Sequence, residues 1–163
     1  MATLRLKEQF ECNTRTATAV TTSGSLHCDI TMDNHSAIID EPPERGGEDD
    51  GATPLLHFAA SFASCQAIQV AKVAQAMRLE YGQIKIDVTL DTARSVGRED
   101  DTRIIRFVGA KMVINVESSA SDAKLARLKT LAIDRCPIGA LLDDADVDTV
   151  IVWNNLPLAQ SKA

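Results

Sequence analysis

Apolar and polar residues alternate strictly over residues 83–91, where Ile84, Ile86, Val88 and Leu90 interleave with Lys85, Asp87 and Thr89. A period of two is the mark of a strand with one face covered. From Arg103 the pattern resumes with Ile105 and Phe107 on one phase and Ala110, Met112, Ile114 and Val116 on the other, which predicts a second strand with a bulge near Gly109. Residues 95–102, charged and Gly-containing, form the loop between them. Upstream, residues 4–40 are Thr-rich and β-branched and broken by Ser23-Gly24-Ser25 and Asp33-Asn34, a pattern that predicts a three-stranded antiparallel meander.

Helical signals take over at Thr53-Pro54, a capping residue ahead of a proline suited to a first turn, and good helix formers continue to about Leu79, with Gly82 as the expected stop. A rod of some 25 residues is roughly 37 Å long. Ser121 is the expected cap of a later helix that aligns Leu125, Leu128, Ala132 and Cys136 on one face. Pro137 then disfavours helical geometry at Cys136, which places that sulfur at the helix end. A short apolar piece, Ile138 to Leu142, and an acidic turn precede a last strand over Thr149 to Trp153. The order βββ-α-ββ-α-β predicts an α+β fold and does not match parallel βαβ repeats.

The central helix is apolar around most of its circumference, so one sheet covers only part of it. Polar groups such as His57, Gln66, Gln69, Lys72 and Gln75 exclude a lipid-facing span. Ala59, Ala60, Ala63 and Ser64 offer a small-residue surface for close helix approach, and the chain has only six aromatic residues (four Phe, one Trp, one Tyr) with which to fill a large monomeric core. A homodimer with these helices packed together is therefore expected.

The 163 residues, 45% of them apolar, suit one domain spanning 1–163. A net charge of −6 and the lack of any Lys/Arg cluster argue against nucleic acid as a partner. Met1 to Lys7 lacks the apolar run of a secretory signal, so a cytoplasmic location is expected. Residues 40–51, with two prolines, three glycines and six acidic residues, read as a solvated loop leading into the central helix.

Four cysteines, Cys12, Cys28, Cys65 and Cys136, carry the candidate chemistry. In a reducing compartment free or reactive thiols are expected ahead of structural bridges. Cys12 and Cys28 lie on predicted strands as ordinary half-buried thiols. His27, Cys28, His35 and Cys12 are of metal-ligand type but lack the spacing that anchors a zinc site. Asp144-x-Asp146-x-Asp148 imitates the start of a calcium loop, yet Thr149 and Asn155 stand where glycine and glutamate are needed. No metal or organic cofactor is expected. His57 lies eight residues ahead of Cys65, roughly 12 Å along the helix, which fits a capping or interface histidine.

The motifs Asp40-Glu41-Pro42-Pro43, Gly46-Gly47-x-Asp49-x-Gly51-x-x-Pro54, Ala59-Ala60 ahead of Cys65, and Cys136-Pro137 resemble the OsmC/Ohr family, osmotically inducible protein C and the organic hydroperoxide resistance proteins. The resemblance covers about the whole chain. It implies an intertwined homodimer in which two central helices are embraced by antiparallel sheets, with active sites at the subunit interface. It also implies Cys65 as a peroxidatic thiol that becomes a sulfenic acid and Cys136 as the resolving thiol. An external dithiol reductant, such as a lipoylated protein, would reopen the disulfide. Peroxide cleavage needs a thiolate, and Cys65 lies beyond the helix turn where the macrodipole acts, so a side-chain cation is required.

Two departures bear on activity. The family's peroxidases hold an arginine from the N-terminal strands with a glutamate at the start of the central helix; Arg15 is the candidate for the arginine, but Leu56 stands in the glutamate position. After Cys136 the chain reads Pro137-Ile138-Gly139-Ala140, without the His-Arg pair of many relatives. The expected activity is reduction of organic hydroperoxides. The rivals are a dimeric binding module for a small hydrophobic ligand, with Leu56, Phe58 and Phe62 near its mouth, and a thiol redox sensor.

Overall fold

In a computed structural model of the chain, residues 13–96 and 103–159 are described. Cys12, the start of the expected meander and the tip of the hairpin loop lie outside them. The chain divides into two compact units, the first ending at Pro54 and the second beginning at Leu55.

The first unit holds the meander. β1 (Thr18–Thr21), β2 (Cys28–Met32) and β3 (His35–Ile39) form an antiparallel sheet in that order. The turns fall where the sequence put them: Gly24 has φ 85°, and Asp33 adopts a left-handed φ of 51° between the paired Met32 and His35. Val20, Met32 and Ile38 remain exposed, as does Leu26 in the first turn. The following loop is more ordered than its composition suggests. Pro43–Arg45 form a 3-10 turn, and the buried Asp40 carboxylate accepts backbone N–H groups from Glu41 at 2.8 Å, Glu48 at 3.0 Å and Asp50 at 3.3 Å. Burial pushes this carboxyl's pKa up, but the three N–H bonds outweigh that and hold it below its ordinary value. Gly47 is required here, because a Cβ would lie 1.7 Å from the Glu41 carbonyl oxygen.

The second unit carries the core. α1 (Pro54–Ala76) buries Phe62, Gln66, Val70, Val73 and Ala74 along one stripe. It ends sooner than Gly82: Arg78 takes the left-handed conformation at φ 52°, while Leu79 N–H reaches Ala74 O at 2.9 Å and Arg78 N–H reaches Gln75 O at 3.0 Å. That double closure is a Schellman stop, and Leu79 packs against the core behind it.

β4 (Tyr81–Val96) and β5 (Arg103–Ser118) make a long antiparallel hairpin. The expected bulge is present, since the register passes from Asp91↔Gly109 to Thr92↔Phe107 and leaves Val108 unpaired. That extra residue lets Phe107 pack against the core alongside Ala110, Met112, Ile114 and Val116. α2 (Asp122–Ile133) follows Ser121, burying Leu125, Leu128 and Ala132 as the periodicity required. α3 (Pro137–Asp144) is a separate helix where only a short apolar piece was expected. β6 (Asp148–Leu156) then pairs in parallel with β5, giving the sheet order β4-β5-β6. A parallel neighbour needs a crossover, which α2 and α3 supply.

The fold is α+β, as expected. Two details differ: the β4-β5-β6 sheet is mixed, and an additional helix separates α2 from the last strand. Among the described residues no helix is long and apolar enough to cross a membrane.

Candidate active site

Cys65 and Cys136, 71 positions apart in sequence, have their sulfurs 3.5 Å from each other. Cys65 is half-buried on α1, one turn after Phe62; Cys136 is buried. The second sulfur is not at the C-terminal end of α2, contrary to the expectation from spacing. α2 stops at Ile133, and Cys136 is instead the N-cap of α3, with Pro137 in the first helical position. Proline does disfavour helix at the residue before it, but it also suits a helix start, and here the second effect governs the backbone after Cys136.

The cap is functional in geometry. Gly139 N–H donates to Cys136 Sγ at 3.4 Å, and Cys136 Sγ faces Cys65 Sγ. Gly139 also lies against the Phe62 ring, so the sulfur pair is walled by an aromatic edge and by backbone. Burial and the adjacent Cys136 thiol raise the Cys65 pKa above the ordinary thiol value; the Ile138 backbone and the positive charge of Lys72 act the other way without overcoming them. Lys72 is seven residues beyond Cys65, two turns along the same helix face. That spacing was legible in the sequence, though Lys72 drew attention there only as a polar residue.

The other candidates are placed as follows. Arg15 lies in the irregular segment ahead of β1, in the first unit, exposed and with its Nη1 donating to Thr14 O at 3.1 Å. Leu56 is 59% exposed, whereas Phe62, expected near a pocket mouth, is a core residue at 1% exposure. Phe58 is partly buried and stacks on Phe107, with centroids 5.0 Å apart. His57 is half-buried and its Nε2 has no hydrogen-bond partner among the described residues. Cys28 is a half-buried free thiol on β2.

One grouping escaped the sequence reading. Ligand-type atoms of His27, Asp40 and Asp50 lie within 4.8 Å of one another. Both Asp40 oxygens are already occupied by the three backbone N–H groups, and His27 is engaged by Asp29 at 3.3 Å and Asp50 at 3.6 Å. The hydrogen bond to Asp29 raises the His27 pKa against partial desolvation, helped by the charges of Asp50 and Asp40. With three N–H groups on Asp40 and two carboxylates on the His27 ring, this donor set fastens a loop.

The OsmC-like protein family matches residues 47–151, a span that holds both cysteines and the crossover that joins them. The chain belongs to this family. No curated protein matches the sequence. Among solved structures, an OsmC-like protein from Mycoplasma pneumoniae superposes with a TM-score of 0.72 at 17% identity, covering 88% of this chain and 98% of that one. An organic hydroperoxide resistance protein OsmC from Legionella pneumophila gives 0.60 at 18% identity, covering 89% and 99%. The organic hydroperoxide resistance protein OhrB of Bacillus subtilis gives 0.56 at 23% identity, covering 87% and 98%. At these identities the likeness establishes the OsmC fold.

Proposed function

We propose that this OsmC-like protein is a thiol-dependent peroxidase that reduces organic hydroperoxides through Cys65 and Cys136. The observation that carries the proposal is the sulfur pair at 3.5 Å, brought together from two helices 71 positions apart in sequence. The Cys65 thiolate attacks the outer peroxide oxygen, the O–O bond breaks, and the alkoxide leaves to be protonated as the alcohol. Cys65 is left as a sulfenic acid. The Cys136 thiolate then attacks the Cys65 sulfur, forming the disulfide and expelling the sulfenic oxygen as water, ahead of over-oxidation. An external dithiol, free or carried as a lipoyl group on a protein, returns both thiols by exchange and leaves as its own disulfide.

Each residue has a role in this sequence. Cys136, at the α3 N-terminus with the Gly139 N–H on its sulfur, is the thiol that resolves the sulfenic acid in the second step. Lys72 favours the Cys65 thiolate, and Arg15 is the further cation the family pattern assigns. The reading has residues 1–163 acting as a single domain in a cytoplasmic homodimer. Two features support the dimer: a three-stranded sheet with Val20, Met32 and Ile38 in water, and a central helix exposing Leu55, Leu56 and Ile68. Such surfaces are usual where a second copy packs.

A second reading, a binding module with weak thiol chemistry, is favoured by the raised Cys65 pKa. Mass spectrometry after one equivalent of cumene hydroperoxide separates the two. The peroxidase loses two hydrogens per chain, Cys136→Ser accumulates oxygen on Cys65, and turnover with a dithiol vanishes in Cys65→Ser. An unchanged mass in the wild-type chain would rule the peroxidase reading out.

A further inference from the structure

An apolar cavity of about 380 Å³ lies in the second unit, lined by Phe58 of α1, Arg106 and Phe107 of β5, Leu141, Leu142 and Ala145 of the α3 end, and Val147. Its size is in the range of small-molecule sites. Its walls share elements with the sulfur pair: Phe58 is seven residues before Cys65 on one face of α1, about 10 Å along the axis, and Leu141 and Leu142 ride on the helix that Cys136 caps.

Arg106 is the single ionisable residue in this lining. It is exposed and, among the described residues, its side chain makes no ion pair or hydrogen bond. A guanidinium left unpaired beside an aromatic and aliphatic cavity is complementary to an amphiphile with an anionic head and an apolar body. Asp143, Asp144, Asp146 and Asp148 flank the lining residues Ala145 and Val147 in sequence, and their charge disfavours a doubly charged head more than a singly charged one.

We infer that this cavity binds an apolar monocarboxylate, with its chain between the stacked Phe58–Phe107 pair and Leu141–Leu142 and its carboxylate on Arg106. The site goes beyond the peroxidase reading, since binding requires no reaction at sulfur. The bulge at Val108 is what makes it possible: it brings Phe107 onto the core side while Arg106 stays at the rim.

The test titrates the full chain with decanoate, 1-decanol and decyltrimethylammonium, following the Phe58 and Phe107 ring resonances and the heat of binding. Decanoate binds tightest and the cation weakest. Arg106→Gln lowers decanoate affinity about two- to fivefold, the range for one exposed charge pair, and leaves decanol unchanged. The unchanged decanol affinity also reports that the variant is folded. Leu141→Ser, at an already exposed position, weakens decanoate and decanol alike. Cys65→Ser binds decanoate as the wild type does, which keeps this site separable from the thiol chemistry. Equal affinity for decanoate and decanol in the wild type, an Arg106→Gln variant that keeps full decanoate binding, or no saturable shift of the two rings overturns the proposal.

Discussion

Oxidation of the sulfur pair has a consequence for stability that follows from the geometry. Joining Cys65 to Cys136 closes a loop across 71 positions of chain. In the chain-entropy model that removes about 15 cal/mol/K from the unfolded state, or about 4.4 kcal/mol at 25 °C. Two costs subtract from it. The sulfurs must move from 3.5 Å to about 2.05 Å, and the weak Gly139 N–H contact to Cys136 Sγ is disturbed, at about 0.5–1 kcal/mol. A net gain of about 3–4 kcal/mol remains, which in a chain of this length raises the melting temperature by about 8–14 °C. The assay is a thermal melt of the reduced protein against protein oxidised with one equivalent of hydroperoxide. Cys65→Ser and Cys136→Ser serve as controls that gain nothing, and non-reducing electrophoresis should show a monomer-sized chain. Coincident melts in a sample whose mass shows two lost hydrogens would mean that the bond formed lies elsewhere, and the pairing argued here would be wrong.

Three further outcomes are expected. Because the folded Cys65 pKa is raised, the unfolded thiol ionises first; the associated stability is complete below the ordinary thiol value of 9.0 and is lost as pH rises through the higher folded value. Cys65→Ser should flatten that alkaline loss in urea melts, and Lys72→Met should slow alkylation of Cys65 at pH 8, with equal alkylation rates counting against any role for the lysine. Asp40, with its pKa lowered, contributes stability that is present above its ordinary value of 3.8 and lost as pH falls through the lower folded one. Asp40→Asn should remove that acid limb and lower the melting temperature at neutral pH, because an amide cannot accept all three N–H bonds; an unchanged acid limb would exclude it as the source.

Much of the fold was legible because it rests on periodicity. The phase switch between Phe107 and Ala110 announced the bulge, and the Leu125, Leu128, Ala132 stripe fixed the buried face of α2. The two sulfurs were singled out by their sequence contexts, and the structure brings them within 3.5 Å. What was missed depends on local choices with competing signals. The stretch 134–144 reads equally as a helix end or as a helix start, since Pro137 both stops one and opens another, and periodicity cannot separate a continued stripe from two short helices. The end of α1 was misplaced because Arg78, a residue that seldom takes left-handed φ, closes the Schellman stop where a glycine was sought. Asp40 looked like one acid among six in a solvated loop; its burial depends on three N–H groups whose direction no residue type reveals.

The misread helix start changes the chemistry assigned to the second thiol. At the C-terminal end of α2, the last helix carbonyls would surround Cys136; at the N-cap of α3, the Gly139 N–H donates to its sulfur instead. Without the His-Arg pair after the second motif, the polar contact on this sulfur comes from the Gly139 backbone. Cys65, by contrast, sits mid-helix with no dipole to draw on, and its pKa is raised. In the proposed cycle, once Cys65 carries an oxygen, Cys136 is the thiol of the pair left to attack its sulfur. The charge of Lys72, which favours the Cys65 thiolate against burial and the neighbouring thiol, bears in that cycle on the attack on the peroxide.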